Sequence, residues 1–176
     1  VASELVNIVD DGTMLQALGS RPFDGDGVGV RRKEVITAGV LETYLLDTYS
    51  ARKLGSKSTG NAVRGAGQAS GVSPMNFFLL PGAHSLRDIV ASVEDGFLVT
   101  ELMGFGVNLV TGDYSRGAAG IWIEKGELTY PVEELTIAGS LTEMLNQIEM
   151  VGNDLRLQSP IAAPAVKISR MTVAGI

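Results

Sequence analysis

Cysteine and histidine, which bind zinc and perform much enzyme catalysis, are scarce in this sequence. Its 176 residues contain no Cys and a single His, His84. Zinc sites usually need several imidazole or thiolate ligands, and cysteine enzymes need a thiol nucleophile. By itself, the sequence therefore cannot supply the usual nitrogen–sulfur metal site or a thiol-dependent active site.

His84 precedes a predicted helix, and Asp88 follows it by about one helical turn. A general base needs a carboxylate or nucleophile within hydrogen-bonding distance, and Asp88 could supply the carboxylate. A lone histidine in a surface turn more commonly has no such role. We therefore expect His84 to be an ordinary turn residue.

The segment Asp113–Gly117, with the sequence DYSRG, is the best candidate for function on chemical grounds. Ser115 and Arg116 are predicted to lie between two strands, and the guanidinium of Arg116 could bind a carboxylate or a carbonyl. The glycines nearby would let another backbone approach closely. The competing interpretation is a hairpin turn closed by an ion pair between Asp113 and Arg116.

Other motifs are weak. Gly104-Phe105-Gly106 lacks the third glycine of a dinucleotide-binding loop and precedes a predicted strand, not a helix. The Lys-Ser pair between Gly55 and Gly60 lacks the spacing of a phosphate-binding loop. The segment Asp24–Gly27 resembles part of a calcium loop but lacks the terminal Glu, which favours a structural turn. The same prediction applies to Asp10, Asp11, Asp47 and Asp154.

The composition indicates a globular chain with a net charge of −6. Direct nucleic-acid binding is disfavoured, because the only cationic cluster is Arg31-Arg32-Lys33, which we expect to form a solvated turn before a strand. No apolar run approaches the roughly 20 residues of a membrane helix. Without Cys there is no disulfide framework, so a cytoplasmic location is the default expectation. The start has no Met and no signal peptide, so we expect a fragment of a longer chain.

Apolar periodicity and turn residues predict an α+β fold, in which a large, mostly antiparallel, twisted sheet is accompanied by two or three short helices. We expect residues 1–176 to form one domain. The predicted strands, eight or nine in all, include Leu5–Val9, Glu34–Leu46 with a bend at Gly39, Pro74–Leu80, Phe97–Leu102, Val107–Thr111, Ala119–Glu124, Glu127–Pro131 and an irregular last strand from Val166.

Three helices are predicted from their capping residues. The first covers Thr48–Leu54, with Thr48 or Ser50 as its cap. The second begins at the cap Ser85 and ends at Gly96, and the third begins at Ser140 and ends at Gly152. The segment Ser56–Ser73 holds almost no large apolar residue and is expected to be a long mobile loop.

A series of motifs occurs in an order that resembles the C-terminal half of the TldD/PmbA family. They are FDGDG, RR, LETYLLDTYSARKLG, STGNA, NFFLLPG, VEDGFLVTELMGFGVNLVTGDYSRGAAGIWIEKGELTYPVEELTIAG and VGNDL. Together they cover nearly the whole chain, and the long block from GDYSRGAAG through PVEE to TIAG is the most specific.

The resemblance implies a cytosolic, two-subunit metallopeptidase that acts on unstructured peptides, including microcin-type precursors and antitoxins. The TldD-type subunit of the family carries a zinc-binding His-Glu-x-x-x-His helix and a later segment with Cys. Its partner, PmbA or TldE, lacks the metal ligands. After Asp154 the present chain runs almost directly into its last strand and has no Cys, which is similar to the PmbA branch.

The resemblance therefore implies a subunit with no catalytic residue and no cofactor of its own, in a homo- or hetero-oligomer whose zinc is held by a TldD-like partner. We predict that Gly104, Gly106, Tyr114, Ser115, Arg116 and Gly117 form one wall of a cleft for an extended peptide. Two alternatives remain open. One is an autonomous zinc peptidase with its metal helix upstream, and the other is a non-enzymatic modulator or scaffold linked to DNA gyrase.

Overall fold

The structure is a computed structural model that describes residues 1–65, 67 and 70–175. These residues fall into two compact units. Unit 1 comprises Val1–Leu5, Gly82–Asp154 and the chain from Ala165 onward, and unit 2 comprises Val6–Pro81 and Leu155–Pro164. The prediction of a single domain stays a prediction. Each of the two units has its own sheet and its own buried residues.

The described residues form more strands than the sequence predicts, together with three helices of six residues each. The helices are α1 (Thr48–Lys53), α2 (Leu86–Ala91) and α3 (Leu141–Asn146). The strands are β1 (Ile8–Asp11), β2 (Arg32–Thr37), β3 (Val40–Leu41), β4 (Ala62–Val63), β5 (Gly71–Val72), β6 (Phe77–Leu79), β7 (Asp95–Met103), β8 (Asp113–Glu124), β9 (Glu127–Ser140), β10 (Ile148–Val151), β11 (Ile161–Ala162), β12 (Val166–Ile168) and β13 (Thr172–Ala174).

Unit 2 contains a five-stranded sheet in the order β11-β6-β1-β2-β3. Only β11 and β6 run parallel, and all other neighbours are antiparallel. The predicted bend in the segment Glu34–Leu46 is a tight turn at Ala38 and Gly39, both with positive φ. The first strand begins later than predicted, at Ile8, because its pairing with β2 and β6 starts there.

Unit 1 contains an antiparallel sheet in the order β13-β9-β8-β7 and a separate pair, β10 with β12. Ala118, Leu135 and Ile137 form the core of the larger sheet. The antiparallel sheets and short helices confirm the predicted α+β class. Lys125 and Gly126 separate the predicted strands Ala119–Glu124 and Glu127–Pro131, and they form the turn that joins β8 to β9. Both residues have the positive φ that such tight hairpin turns require.

The long hairpin of β7 and β8 corrects two predictions. The strand predicted at Val107–Thr111 is instead the end of this hairpin, and β8 begins at Asp113 rather than Ala119. The backbone N–H of Ser115 donates to the carbonyl of Gly106 at 2.7 Å, and Asn108 N donates to Asp113 O at 2.9 Å. These bonds carry the pairing past Met103, so the DYSRG segment is strand and not a turn.

Two predicted helices end earlier than expected. Helix α2 begins at the predicted cap Ser85, which forms a capping box with Asp88. The helix ends at Ala91 and not at Gly96, which lies within β7. Helix α3 ends at Asn146 and Ser140 makes no side-chain cap bond. The residues after α3, which have helical periodicity, form strand β10 because they pair with β12. Tertiary pairing thus overrides local helix propensity.

The segment Ser56–Ser73 is more ordered than predicted in its described part. Strands β4 and β5 pair with each other, and Thr59 and Asn61 are buried. Ala66, Gln68 and Ala69 lie outside the described residues. Helix α1 also has a different cap from the two predicted residues, because the Asp47 carboxylate accepts from the backbone N–H of Ser50 at 2.7 Å.

The predicted irregular strand at the end of the chain consists of two strands, β12 and β13, which pair with different partners. No helix among the described residues is long and apolar enough to cross a membrane.

Candidate functional site

The structure brings the six predicted site residues together at the distal end of the β7–β8 hairpin. Gly104 and Gly106 follow β7, and the residues from Tyr114 to Gly117 form the start of β8. Gly106 lies beside Ser115, and Gly117 is the register partner of Met103. The sequence therefore identified a spatial cluster, whereas its assignment to peptide binding remains a prediction.

A glycine is required at position 106 because the backbone of Ser115 lies very close to it. A Cβ atom at this position would overlap the carbonyl oxygen of Ser115, so no larger residue fits without moving a strand. Gly104 is different, because it faces open space but has a φ of +73°. Such a φ is easily adopted by glycine and is unfavourable for other residues. Together the two glycines set the path of the chain from β7 to the hairpin end.

Arg116 attaches the end of β7 to β8. Its Nη2 donates to the carbonyl of Leu102 at 3.2 Å, and its Cγ approaches Gly106. Its Nε is buried without a hydrogen-bond partner. The alternative of an Asp113–Arg116 ion pair is wrong, because the Asp113 carboxylate instead accepts from the Thr111 hydroxyl at 2.6 Å.

The backbone available to another strand lies on β7. Strand β8 has β7 on one side and β9 on the other, so its backbone groups are already in use. Among the described strands, β7 hydrogen-bonds only to β8 and is an edge of its sheet. It is nine residues long, contains neither Pro nor Lys, and is interrupted by a bulge between Val99 and Glu101. Unpaired edge backbone is the usual site of strand addition.

An open groove of about 1020 Å³ lies within unit 1 and is lined by residues of its larger sheet from β7 across to the opposite edge strand β13. Residues from Asp95 to Val99 form one side, and parts of α2, β10 and β12 also line it. The Phe97 and Trp122 rings pack at 6.1 Å between centroids, and Trp122 Nε1 donates to Asp95 at 3.0 Å. The groove therefore combines an edge backbone with an apolar, aromatic surface.

The sequence did not predict this groove, because it is built from segments that are far apart in the chain. Its charged side chains include Lys167, whose Nζ lies 3.4 Å from the Glu149 carboxylate and also donates to the carbonyl of Ser92. The charge-free run over residues 102–112 does not indicate the groove, because Leu102 is its one member among the lining residues.

The acidic and basic motifs of unit 2 have structural roles. One Asp24 carboxylate oxygen accepts from the backbone N–H groups of Asp26 and Val28, at 2.9 Å each, which fits the predicted turn. The expectation of a solvated Arg31-Arg32-Lys33 cluster is wrong for Lys33. Its ammonium group is buried 3.0 Å from the Asp10 carboxylate, because the side chain points into the unit from β2.

His84 is exposed in a segment that bridges to Gly152. Ser85 caps α2, and the nearby Asp88 completes the capping box. The Ser85 hydroxyl donates to the Asp88 carboxylate and lowers the pKa of that group. Among the described residues, no three His, Cys, Asp or Glu side chains come together in a group that could hold a metal ion. The described residues therefore offer no fitting set of ligands for the zinc that the resemblance implies.

Comparison with known proteins identifies one family. The family described as PmbA/TldA metallopeptidase C-terminal domain matches residues 1–175. The chain is 45% identical over 162 residues to the metalloprotease PmbA of Escherichia coli O157:H7, covering 92% of this chain and 34% of that protein. It is 33% identical over 191 residues to a metalloprotease TldD homolog of Buchnera aphidicola, covering 99% of this chain and 40% of that protein.

Solved structures show the same fold. A suggested modulator of DNA gyrase from Thermotoga maritima superposes with a TM-score of 0.90 at 35% identity, covering 98% of this chain and 40% of that one. TldE from Thermococcus kodakarensis gives a TM-score of 0.88 at 27% identity, covering 99% and 40% respectively. The chain thus spans between a third and two fifths of the length of these relatives.

Proposed function

Because the chain belongs to the PmbA/TldD metallopeptidase family, in the C-terminal domain that its residues 1–175 match, we propose that it holds peptide substrates for a two-subunit peptidase. The proposed substrates are unstructured peptides, such as microcin-type precursors and antitoxins. The proposed location is the cytoplasm. The proposed role is to bind and orient the peptide, while metal chemistry belongs to residues outside this chain.

The observation that carries the proposal is the long edge strand beside the groove. An extended peptide can add to a sheet edge through main-chain hydrogen bonds, which depend little on its sequence. The bulge after Val99 interrupts the regular spacing of backbone groups. The stretch from Asp95 to Val99, which also lines the groove, is therefore the favoured place for the added strand.

The groove would complement the edge by receiving side chains of the peptide. In a strand, successive side chains point to opposite faces, so every second residue of an added peptide would point toward the Phe97 and Trp122 surface. The remaining side chains would face solvent. Backbone pairing would supply most of the affinity, and the apolar surface would add a modest contribution that depends on the peptide.

A TldD-like subunit is the proposed source of zinc and of catalytic residues. Identity is 40–45% to the PmbA relatives and 31–33% to the TldD homologs. Alignments with the TldD homologs run over 191–194 positions, more than the 176 residues of this chain. This difference supports the proposed assignment to the PmbA branch, in which a TldD-type insertion is absent.

The test compares two matched lysine substitutions in the full-length protein, assayed with and without its TldD-type subunit. Val99 and Val173 lie on opposite edge strands of one sheet, are 37% and 39% exposed, and both line the groove. Lysine on an edge strand opposes strand addition. Val99→Lys is expected to lower kcat/KM for peptide cleavage by about tenfold, and Val173→Lys by less than about twofold.

The same measurements can contradict the proposed binding site and the proposed roles of the two subunits. An equal loss in both variants would assign the effect to the charge of the groove and not to the β7 edge. Unchanged cleavage by a folded Val99→Lys protein would overturn the proposed binding site. Tightly bound zinc and full peptidase activity in the full-length protein without the TldD-type subunit would overturn the proposed division of roles.

A further inference from the structure

Unit 1 contains a second cavity, which is smaller and more polar than the groove. It has a volume of about 360 Å³ and lies between the end of β9, helix α3 and the start of β13. We call it the α3 cavity. It shares Met144, Arg170 and Met171 with the groove, so the two are neighbours. Small-molecule sites commonly have volumes of about 300–1,000 Å³, and the α3 cavity is therefore large enough for a small ligand.

The polar side chains that line the α3 cavity have no partner among the described residues. None of the five makes a side-chain hydrogen bond or an ion pair within that part of the chain. They are Ser140, Glu143, Gln147, Arg170 and Thr172. Ligand sites typically hold a few polar groups that converge on the cavity and fix the orientation of the ligand. These five groups are available for that purpose.

Two methionines supply the apolar part of the lining. A Cβ atom at Gly139 would lie 3.6 Å from Met144 Cγ and 3.9 Å from Met171 Cε, so both side chains lie against this glycine. Methionine side chains are flexible and adapt to apolar groups of different shapes. The α3 cavity thus combines one cation, one anion, several hydrogen-bonding groups and an adaptable apolar surface.

We propose that the α3 cavity binds a short free peptide, of about two residues, whose two termini are both charged. The guanidinium of Arg170 binds the terminal carboxylate, for which its planar set of donors is suited. The Glu143 carboxylate binds the terminal ammonium group, and the Gln147 side chain binds the peptide amide. An apolar side chain of the ligand packs on Met144 and Met171.

A ligand with both charges fits this lining better than a simple ion does. An anion is attracted by Arg170 and repelled by Glu143, and a cation experiences the reverse, whereas a zwitterion pairs with both groups. A free peptide is a zwitterion, and the products of peptide cleavage are one source of such molecules. The proposal goes beyond the proposed function, because binding in the α3 cavity requires neither the β7 edge nor cleavage.

The first test uses calorimetric titration of the unmodified full-length protein, without its TldD-type subunit and with a zinc chelator present, so that no cleavage accompanies binding. The probe is the dipeptide Ala-Leu, and we expect a dissociation constant of about 0.1 mM or less. Its C-terminal amide, its N-acetyl form and free leucine should each bind at least about tenfold more weakly. Each of the first two lacks one terminal charge, and leucine lacks the peptide amide.

The second test assigns each terminus to a side chain. Arg170→Gln should weaken the binding of Ala-Leu at least about tenfold and change that of the C-terminal amide less than about twofold, because the amide has no carboxylate to lose. Glu143→Gln should behave in the same way toward Ala-Leu and its N-acetyl form. Arg87→Gln is the matched control, since Arg87 is an exposed residue of unit 1 that does not line the cavity. It should change none of these affinities.

The titrations with the unmodified protein remain informative if the variants fold poorly. No binding of Ala-Leu, equal binding of Ala-Leu and both of its blocked forms, or binding of free leucine as tight as that of Ala-Leu would overturn the proposal. So would an equal loss of affinity for Ala-Leu and its amide in Arg170→Gln. Since only dipeptide binding is measured, these outcomes are independent of the cleavage measured with Val99→Lys.

Discussion

The two units of the chain differ in where they place polar groups and how their sheets end. The five-stranded sheet of unit 2 ends on both sides in two-residue strands, β3 and β11. The larger sheet of unit 1 ends on one side in the nine-residue β7. Short edge strands leave little backbone for pairing with another chain, and long ones leave much. Unit 1 is thus the better surface for strand addition.

The interiors of the two units also differ, in the polarity of their buried side chains. All buried polar and charged side chains of the described residues lie in unit 2, and they are Asp10, Asp11, Asp24, Lys33, Asp47, Thr59, Asn61 and Asn76. Several form one network around Asp10, whose carboxylate accepts from Met75 N at 2.7 Å and from Asn61 Nδ2 at 2.7 Å. The buried side chains of unit 1 are apolar.

This difference shows how a chain rich in loops can combine an ordered unit with a unit that leaves a long strand edge exposed. In unit 2, buried hydrogen bonds fix loops that have little apolar surface, because an unpaired polar group in the interior is costly. In unit 1, apolar side chains pack against a sheet whose β7 edge and β7–β8 hairpin end remain exposed. The stability of unit 2 should therefore depend on its buried polar pairs, and that of unit 1 on apolar packing and on close approaches of its backbone.

The largest expected loss of unfolding free energy comes from a substitution in the polar interior of unit 2. Asp10→Ala removes the partner of the buried Lys33 ammonium group, and the unpaired charge should lower the free energy of unfolding by about 3–5 kcal/mol. Urea denaturation measures the loss. Asp95→Ala in unit 1 is the control, because the exposed Asp95 only accepts from Trp122 and should cost at most about 1 kcal/mol.

A second substitution identifies the cause of that loss. Adding Lys33→Met to Asp10→Ala removes the unpaired charge and should recover about 1–2 kcal/mol of the unfolding free energy. If the double variant is no more stable than Asp10→Ala, the buried charge is not the main source of instability. Equal losses in Asp10→Ala and Asp95→Ala would remove the proposed distinction between the interiors of the two units.

An intermediate effect is expected at the hairpin end of unit 1, where backbone packing decides the shape. Gly106→Ala places a methyl group against the Ser115 carbonyl and should cost about 2–3 kcal/mol of unfolding free energy. Gly104→Ala meets no neighbouring atom and should cost about 1 kcal/mol, from its positive φ alone. Thermal unfolding of both variants gives the ranking. A larger loss for Gly104→Ala than for Gly106→Ala would show that the positive φ of Gly104 matters more here than the close approach of Gly106 to the Ser115 carbonyl.

The smallest expected effect concerns helix caps, which both units share. The Ser50 backbone N–H lowers the pKa of the Asp47 carboxyl in unit 2, and the Ser85 hydroxyl lowers the pKa of Asp88 in unit 1. Both pKa values fall below the ordinary value of 3.8. A carboxyl with a lowered pKa stabilises the fold above the pKa of the unfolded state, and the contribution disappears as the pH falls through the pKa of the folded state.

Asp47→Ala and Asp88→Ala should therefore lower the urea midpoint at neutral pH. The difference from the unchanged protein should decrease steadily below about pH 5 and vanish near about pH 2. Urea titrations at several pH values provide the measurement. A difference that stays constant down to the lowest pH would show that these carboxylates act through packing and not through their charge.

Local sequence rules predicted the features that depend on neighbouring residues. The predicted cap Ser85 needs only a backbone N–H three positions along the chain, and it caps α2 as predicted, in a capping box with Asp88. The turn at Lys125-Gly126 needs only two residues that tolerate positive φ. The cap of α1 was missed because Asp47, Thr48 and Ser50 are all suitable residues, and only the carboxylate of Asp47 reaches the open N–H.

Features that depend on distant residues were predicted less well. The periodicity after Ser140 fits a helix as far as Gly152, but pairing with β12 turns Ile148–Val151 into a strand. The loop predicted at Ser56–Ser73 has little apolar surface, yet Thr59 and Asn61 are buried by hydrogen bonds. A sequence pattern shows how apolar a segment is. It does not show which distant polar groups will form hydrogen bonds with the polar groups of that segment.

The sequence alone determined the family, the α+β class, the absence of Cys, the presence of a single His and the cluster of small residues around Arg116. These properties follow from residue types and short spacings. Only the tertiary structure decided that β8 lies inside its sheet, that β7 is the open edge, and that Lys33 is buried against Asp10. The physical reason is that strand order and burial are set by hydrogen bonds between segments far apart in the chain, which no local pattern specifies.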